Sequence, residues 1–425
     1  MPQHQKVRFG YLPFLVIAVV VPAYIQYLWQ YAFPQIPFIF GQAPGIWSGF
    51  LFTALALAFW SLDPWRAARP KLLRVFFVLL AILWAWEMLL TVVHGDPYVY
   101  GVWLYPLVIM MLFLKVPSRQ EVRRSLLFAG WIFSALIIGT RILEIQGVMA
   151  EAAISSDLLE FEMENYWLPL SGWLGPDGRW VGPFFHNSQT GNVAAYLVVL
   201  GVALRNRSSP VFILVGTLTL LLTSSRTSMV AAAVGVGVAV LIGQYRWNRR
   251  IAWPVRIGAA GALAAFAALV ALWFSPNLTG RDIYWSYYWD LWRSSPWIGV
   301  GITGRGSESP EFFDVNGHNL AVDALGTYGI VAAVLVVLIL ALSLTLAALS
   351  ARSGEFIPIA VIITYSTIGL AQSDYNWTVV SVPWLMLLLP VLLASATLNS
   401  NVDTLRSPNE QSKGSVLKVD EEEIG

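Results

Sequence analysis

The chain has 425 residues, 57% of them hydrophobic and 12% charged, with a formal net charge of +1 and a mean hydropathy of +0.64. That balance excludes an ordinary soluble domain, and the net charge gives no sign of a nucleic-acid partner, so none is expected. The chain contains no cysteine, which removes disulfides, thiolate metal sites and thiol nucleophiles.

Taken in chain order, apolar runs long enough to cross a bilayer recur about twelve times. The first six are Gly10–Ala32, Pro44–Leu62, Leu73–Val93, Tyr98–Leu114, Ser125–Thr140 and Thr190–Leu204. The remaining six are Val211–Thr223, Thr227–Ile242, Ile257–Phe274, Ile330–Leu349, Phe356–Ala371 and Trp377–Ala396. Lys6 and Arg8 precede the first run and no small-residue cleavage site follows it, so it reads as a retained helix. The fold class is thus an all-α polytopic membrane protein, with one transmembrane unit over residues 1–397. The stretch 398–425 is rich in Ser, Asn and Glu and reads as a disordered cytoplasmic tail.

Basic residues fall in alternate connections: Lys6 and Arg8; Arg66 to Arg74; Lys115 to Arg124; Arg205 and Arg207; Arg246 to Arg250; and Arg352. The positive-inside rule makes those connections and both termini cytoplasmic. The opposite face then carries two long connections, Arg141–Gln189 and Ser275–Gly317, and a tight turn at Ser224-Ser225-Arg226.

The outer connections hold arginine and no lysine: Arg141, Arg179, Arg226, Arg281, Arg293 and Arg305. For Arg293 and Arg305 a solvated loop is reason enough. Arg226 sits at a span end with almost no loop, and Arg281 opens a segment dense in Trp and Tyr, with Trp285 among them. A guanidinium carries a fixed fork of donors that matches phosphate, so Arg226 and Arg281 read as anion ligands. The aromatic segment suits an interfacial belt and equally a surface for sugar rings or a lipid head. The carboxylates Glu160, Glu162 and Glu164 form neither a DxD pair nor a cluster at ligand spacing, so no metal and no cofactor are expected. Glu87 lies inside the third run, as a functional group or as the partner of an arginine.

The stretch from Asp314 to Gly329 organises the outer face. From His318 to Leu349 the helical pattern would reach roughly 48 Å, too long for a straight crossing of about 30 Å. Gly326 and Gly329 supply a break. His318–Leu325 is then a short lateral helix, capped by Asn316 or Asp314, with the span resuming at Ile330. His186 in Gly182-Pro-Phe-Phe-His-Asn187 and His318 in Gly317-His-Asn319 are similarly placed, each followed by Asn near a span start.

Four motifs carry a resemblance: Gly-Pro-Phe-Phe-His-Asn (182–187), Leu-Leu-Thr-Ser-Ser-Arg-Thr (221–227), Thr-Gly-Arg (279–281) with Pro-Trp-Ile-Gly-Val-Gly (296–301), and Gly-His-Asn with Gly-Thr-Tyr-Gly (317–329). Together they resemble the O-antigen ligase and O-antigen polymerase superfamily. The resemblance implies a GT-C-like fold in the bacterial cytoplasmic membrane. It implies an inverting, metal-independent glycosyltransferase that moves a glycan from polyprenyl (undecaprenyl) diphosphate to a glycan or glycolipid acceptor outside the cytoplasm. It also implies His318 as catalytic base and Arg226 and Arg281 as diphosphate ligands, with His186, Asn319, Arg179 and Trp285 as further substrate-binding candidates. A polymerase that uses a second lipid-linked repeat as acceptor shares this topology. A flippase would need charge in several spans, and here mid-span charge is nearly confined to Glu87.

Overall fold

The computed structural model describes residues 11–32, 54–58, 60–61, 71–95, 104–146, 180, 182–184, 187–223, 225–243, 281–304, 319–370 and 382–416. Among these residues the chain is helical throughout, with no strand. The helices are α1 (Leu12–Ala32), α2 (Lys71–His94), α3 (Leu104–Leu114), α4 (Arg119–Ile145), α5 (Asn187–Leu204) and α6 (Ser209–Thr223). They continue with α7 (Arg226–Gly243), α8 (Arg281–Ser294), the short α9 (Gly301–Gly304), α10 (Leu320–Arg352), α11 (Ile357–Gly369) and α12 (Val382–Val416). Five are long and apolar enough to cross a membrane: α2, α4, α7, α10 and residues Val382–Ser400 of α12. Shorter apolar helices include Ser209–Thr223 and Ile357–Gly369.

The core is a bundle in which α5 packs on α6, α7 and α11, and α10 packs on α2, α8, α11 and α12. Its apolar residues are not confined to the interior. Val92 is 63% exposed, Leu214 61% and Val337 53%. In water such faces would invite aggregation, whereas against lipid they are the expected surface. Because lipid is as apolar as leucine, close packing and interhelical hydrogen bonds hold such a bundle together.

Several expectations change. The span expected at Ser125–Thr140 belongs to a longer helix, because Ser118 caps α4 by accepting from the Glu121 amide. The expected break is present, but at Gly329 alone: α10 is two helices joined across a kink at that residue (φ 79°, ψ −176°), and the first of them begins at Leu320, not at His318. Gly326 keeps helical geometry. Neither Asn316 nor Asp314 caps this helix: Asn319 does, by accepting from the amides of Ala321 at 3.0 Å and Val322 at 3.2 Å. Residues 398–416, expected as a disordered tail, continue α12 to Val416, since an already nucleated helix extends at little further cost. The Ile257–Phe274 span, most of Pro44–Leu62 and Glu160 to Glu164 lie outside the described residues.

One end of the bundle is closed by charge. Glu355, 1% exposed at its side chain, pairs with Arg119 at 2.8 Å and with Arg123 at 3.4 Å. Arg205 lies over the Phe356 ring, 5.6 Å from its centroid. The candidate site is at the other end.

Candidate functional site

α7 begins at Arg226, whose side chain is exposed. The first turn of any helix leaves amide N–H groups unpaired and carries the positive end of the helix dipole, so it favours an anion. The first turns of α5 and α7 touch here, with Gly191 lying against Ser225 and Ser228. The contact is polar and dry. Ser228 Oγ donates to Asn192 Oδ1 at 2.8 Å, and both residues are buried. A hydroxyl has one proton, so Ser225 donates in turn to Ser228, at 2.7 Å. Pairing of this kind fixes the two helix starts against each other, because breaking it would leave buried polar groups unsatisfied.

The segment Trp180–Phe184 lies over this end. The Trp180 amide donates to Leu222 O at 3.1 Å, four residues before Arg226. Its indole N–H is shared between the two carboxylate oxygens of Glu144, at 2.9 and 2.7 Å. Arg141 pairs with the same carboxylate at 3.1 Å.

The second half of the site is built at the α10 kink. Gly329 lies in the left-handed region that glycine tolerates, and its α-carbon faces the Trp297 carbonyl. Breaking the helix there frees backbone groups that lipid cannot satisfy. Segment 296–300 satisfies them: Val300 N donates to Gly326 O at 3.1 Å, and Ile330 N donates to Pro296 O at 3.0 Å. α2 adds a third bond, from Trp86 Nε1 to Tyr328 O at 3.0 Å. The motif at 296–301 and the motif at 317–329 are thus two sides of one joint.

Helix register carries this joint up to the site. The Tyr288 ring lies over Gly326, where a Cβ would meet Cδ1 at 2.6 Å, and Pro296 meets Ile330, so α8 runs parallel to the first half of α10. Arg281 precedes Tyr288 by the same number of residues as Asn319 precedes Gly326, about 10.5 Å of helix. Positions 281 and 319 are therefore level. Trp285 and Tyr288 also share one helix face by their spacing.

α11 supplies the link to α7. Gly243 lies against Phe356, and Gly235 against Thr364, which sets the two helices antiparallel with Leu370 level with Met229. Asn319 Nδ2 donates to Leu370 O at 2.8 Å. Arg226 is consequently about one turn beyond the level of Asn319, across two interhelical spacings of about 8–10 Å. The starts of α7, α8 and α10 converge at one end.

Of the expected site residues, Arg226 and the backbone of Arg281 open two of these helices. His318 immediately precedes the cap of the third and lies outside the described residues, as do His186 and Arg179. Asn319 commits its amide to capping α10 and to holding α11. Trp285 is half-buried, its indole N–H enclosed without a hydrogen-bond partner. Glu87 is buried on the stripe Leu73, Phe76, Leu80, Leu83, Glu87 and Leu90 of α2. Sequence reasoning missed Glu144, Trp180 and Trp86. The spacing of Arg141 and Glu144, three apart on a helix, was a legible signal for one of these pairings.

Residues 210–337 match the family model described as O-antigen ligase. That stretch of the chain is similar to the O-antigen ligase family. No curated protein matches the chain. The O-antigen ligase match opens at the start of α6 and ends beyond the α10 kink, so Arg226, Arg281 and His318 all fall within it. Glu144, Trp180 and Trp86 precede it and buttress it from outside. Members of that family are in general glycosyltransferase-like enzymes acting on lipid-linked glycans.

Proposed function

We propose that the protein is an inverting glycosyltransferase that moves a glycan from polyprenyl diphosphate to an acceptor glycan or glycolipid, at the outer face of the cytoplasmic membrane. The observation that supports this best is the convergence of three helix starts, two of which begin with arginine while the third follows His318. Arg226 and Arg281 hold the diphosphate with the first-turn amides of α7 and α8, each charged hydrogen bond contributing roughly 1.5–3 kcal/mol.

The acceptor hydroxyl oxygen attacks the anomeric carbon while the bond from that carbon to the phosphate oxygen breaks. Polyprenyl diphosphate leaves with the electron pair, and His318 takes the hydroxyl proton. Attack opposite the leaving group inverts the anomeric centre. A single-turnover assay with a synthetic polyprenyl-diphosphate glycan, in excess chelator, tests the reading. Glycan should pass to acceptor with inverted linkage; retention of configuration, or activity restored only by added divalent metal, overturns it.

A further inference from the structure

We propose that Glu144 is a positioning residue for the anion-holding start of α7, acting through Trp180. The inference rests on the reading of Arg226 given above. Glu144 is 9% exposed and Trp180 5%, so both are removed from water, and the Trp180 indole is bonded to both oxygens of the Glu144 carboxylate. A carboxylate in such a place is disfavoured unless charge and donors meet it. Arg141 supplies the charge from one turn earlier on α4, with its guanidinium carbon 5.9 Å from the Trp180 ring centroid. Trp180 supplies the donor.

What makes this more than a local brace is the other end of Trp180. Its backbone amide holds Leu222 O, the last turn of α6 before the short link to Arg226. Just after it, Gly182 packs on Thr190 of α5, and Phe184 sets its ring edge-on to Phe133 of α4, 6.0 Å between centroids. Glu144 therefore fixes a tryptophan bonded to the end of α6, two residues before the glycine that packs on α5. Displacing that tryptophan lets the α6–α7 link move, and Arg226 with it.

The test uses Glu144→Leu, Trp180→Phe and the double variant in the full chain, with unfolding temperature and donor KM and kcat per folded protein. Each single variant leaves a buried polar partner short of a hydrogen bond and should lower the melting temperature. The double variant strands neither and should recover much of it, because removing both partners is close to neutral. Donor KM should nevertheless rise about tenfold in all three, with kcat little changed, because each loses the side-chain anchor that holds the residue-180 amide against Leu222. A donor KM that recovers together with stability, or that never changes, overturns the proposal and leaves a structural brace. Arg226→Lys in the same assay separates the two readings. If it raises donor KM while the Glu144 and Trp180 variants do not, only the positioning role fails. If it leaves donor KM at the wild-type value, Arg226 holds no diphosphate and both readings fall.

Discussion

The Ile330 amide donates to the Pro296 carbonyl across 3.0 Å, where a straight helix would have given it the carbonyl of Gly326. That vacated carbonyl takes the amide of Val300 instead, at 3.1 Å. A chain segment from the preceding connection thus stands in for one missing turn of hydrogen bonding. The half-helix that begins at Asn319 is bonded to the segment following α8 and does not swing freely on a glycine hinge.

Replacement of Gly329 should damage this joint. In Gly329→Ala the added Cβ would fall on the Trp297 carbonyl, in a backbone conformation (φ 79°, ψ −176°) costing an L-residue roughly 1–3 kcal/mol before any clash. Folded yield and melting temperature in detergent should both fall. Gly139→Ala, on α4 with nothing within 4 Å of its Cβ position, should be neutral or stabilising by about 0.5–1 kcal/mol.

Trp86→Phe keeps an aromatic ring and loses the donor to Tyr328 O. A hydrogen bond of this kind contributes about 0.5–1.5 kcal/mol, so the variant should melt at lower temperature than wild type. An unchanged melting curve would mean that the Trp86 bond adds nothing to the joint.

The arginine reading predicts that charge alone does not suffice. Arg226→Lys and Arg281→Lys keep a cation but lose the bidentate fork. Each should bind the polyprenyl-diphosphate donor at least about tenfold more weakly and lose most transfer. Donor titration and initial rates check this, and near wild-type values for both variants would return the arginines to ordinary loop residues.

His318→Ala should leave expression, folding and donor binding near normal while single-turnover transfer falls by about two to four orders of magnitude. His186→Ala should do less. Loss of activity wholly accounted for by unfolding would remove the general-base role.

The apolar runs, the alternation of basic residues and the break near Gly329 are local properties, and they made the helices and the kink legible from composition and spacing alone. The two glycines at the break look alike in sequence, yet they do different work. Gly329 supplies a left-handed backbone, whereas Gly326 stays helical and makes room for the Tyr288 ring, 38 residues earlier by the numbering. Asn316 and Asp314 were the caps expected ahead of α10, and Asn319 takes the role instead while its amide N–H also reaches Leu370. That choice depends on where α11 ends, which spacing does not encode. Arg141 and Glu144 can be paired from helix periodicity, but Trp180 comes to them from a separate connection. The convergence of the α7, α8 and α10 starts was likewise settled by interhelical register, in which contacts distant in sequence set the height of every helix end.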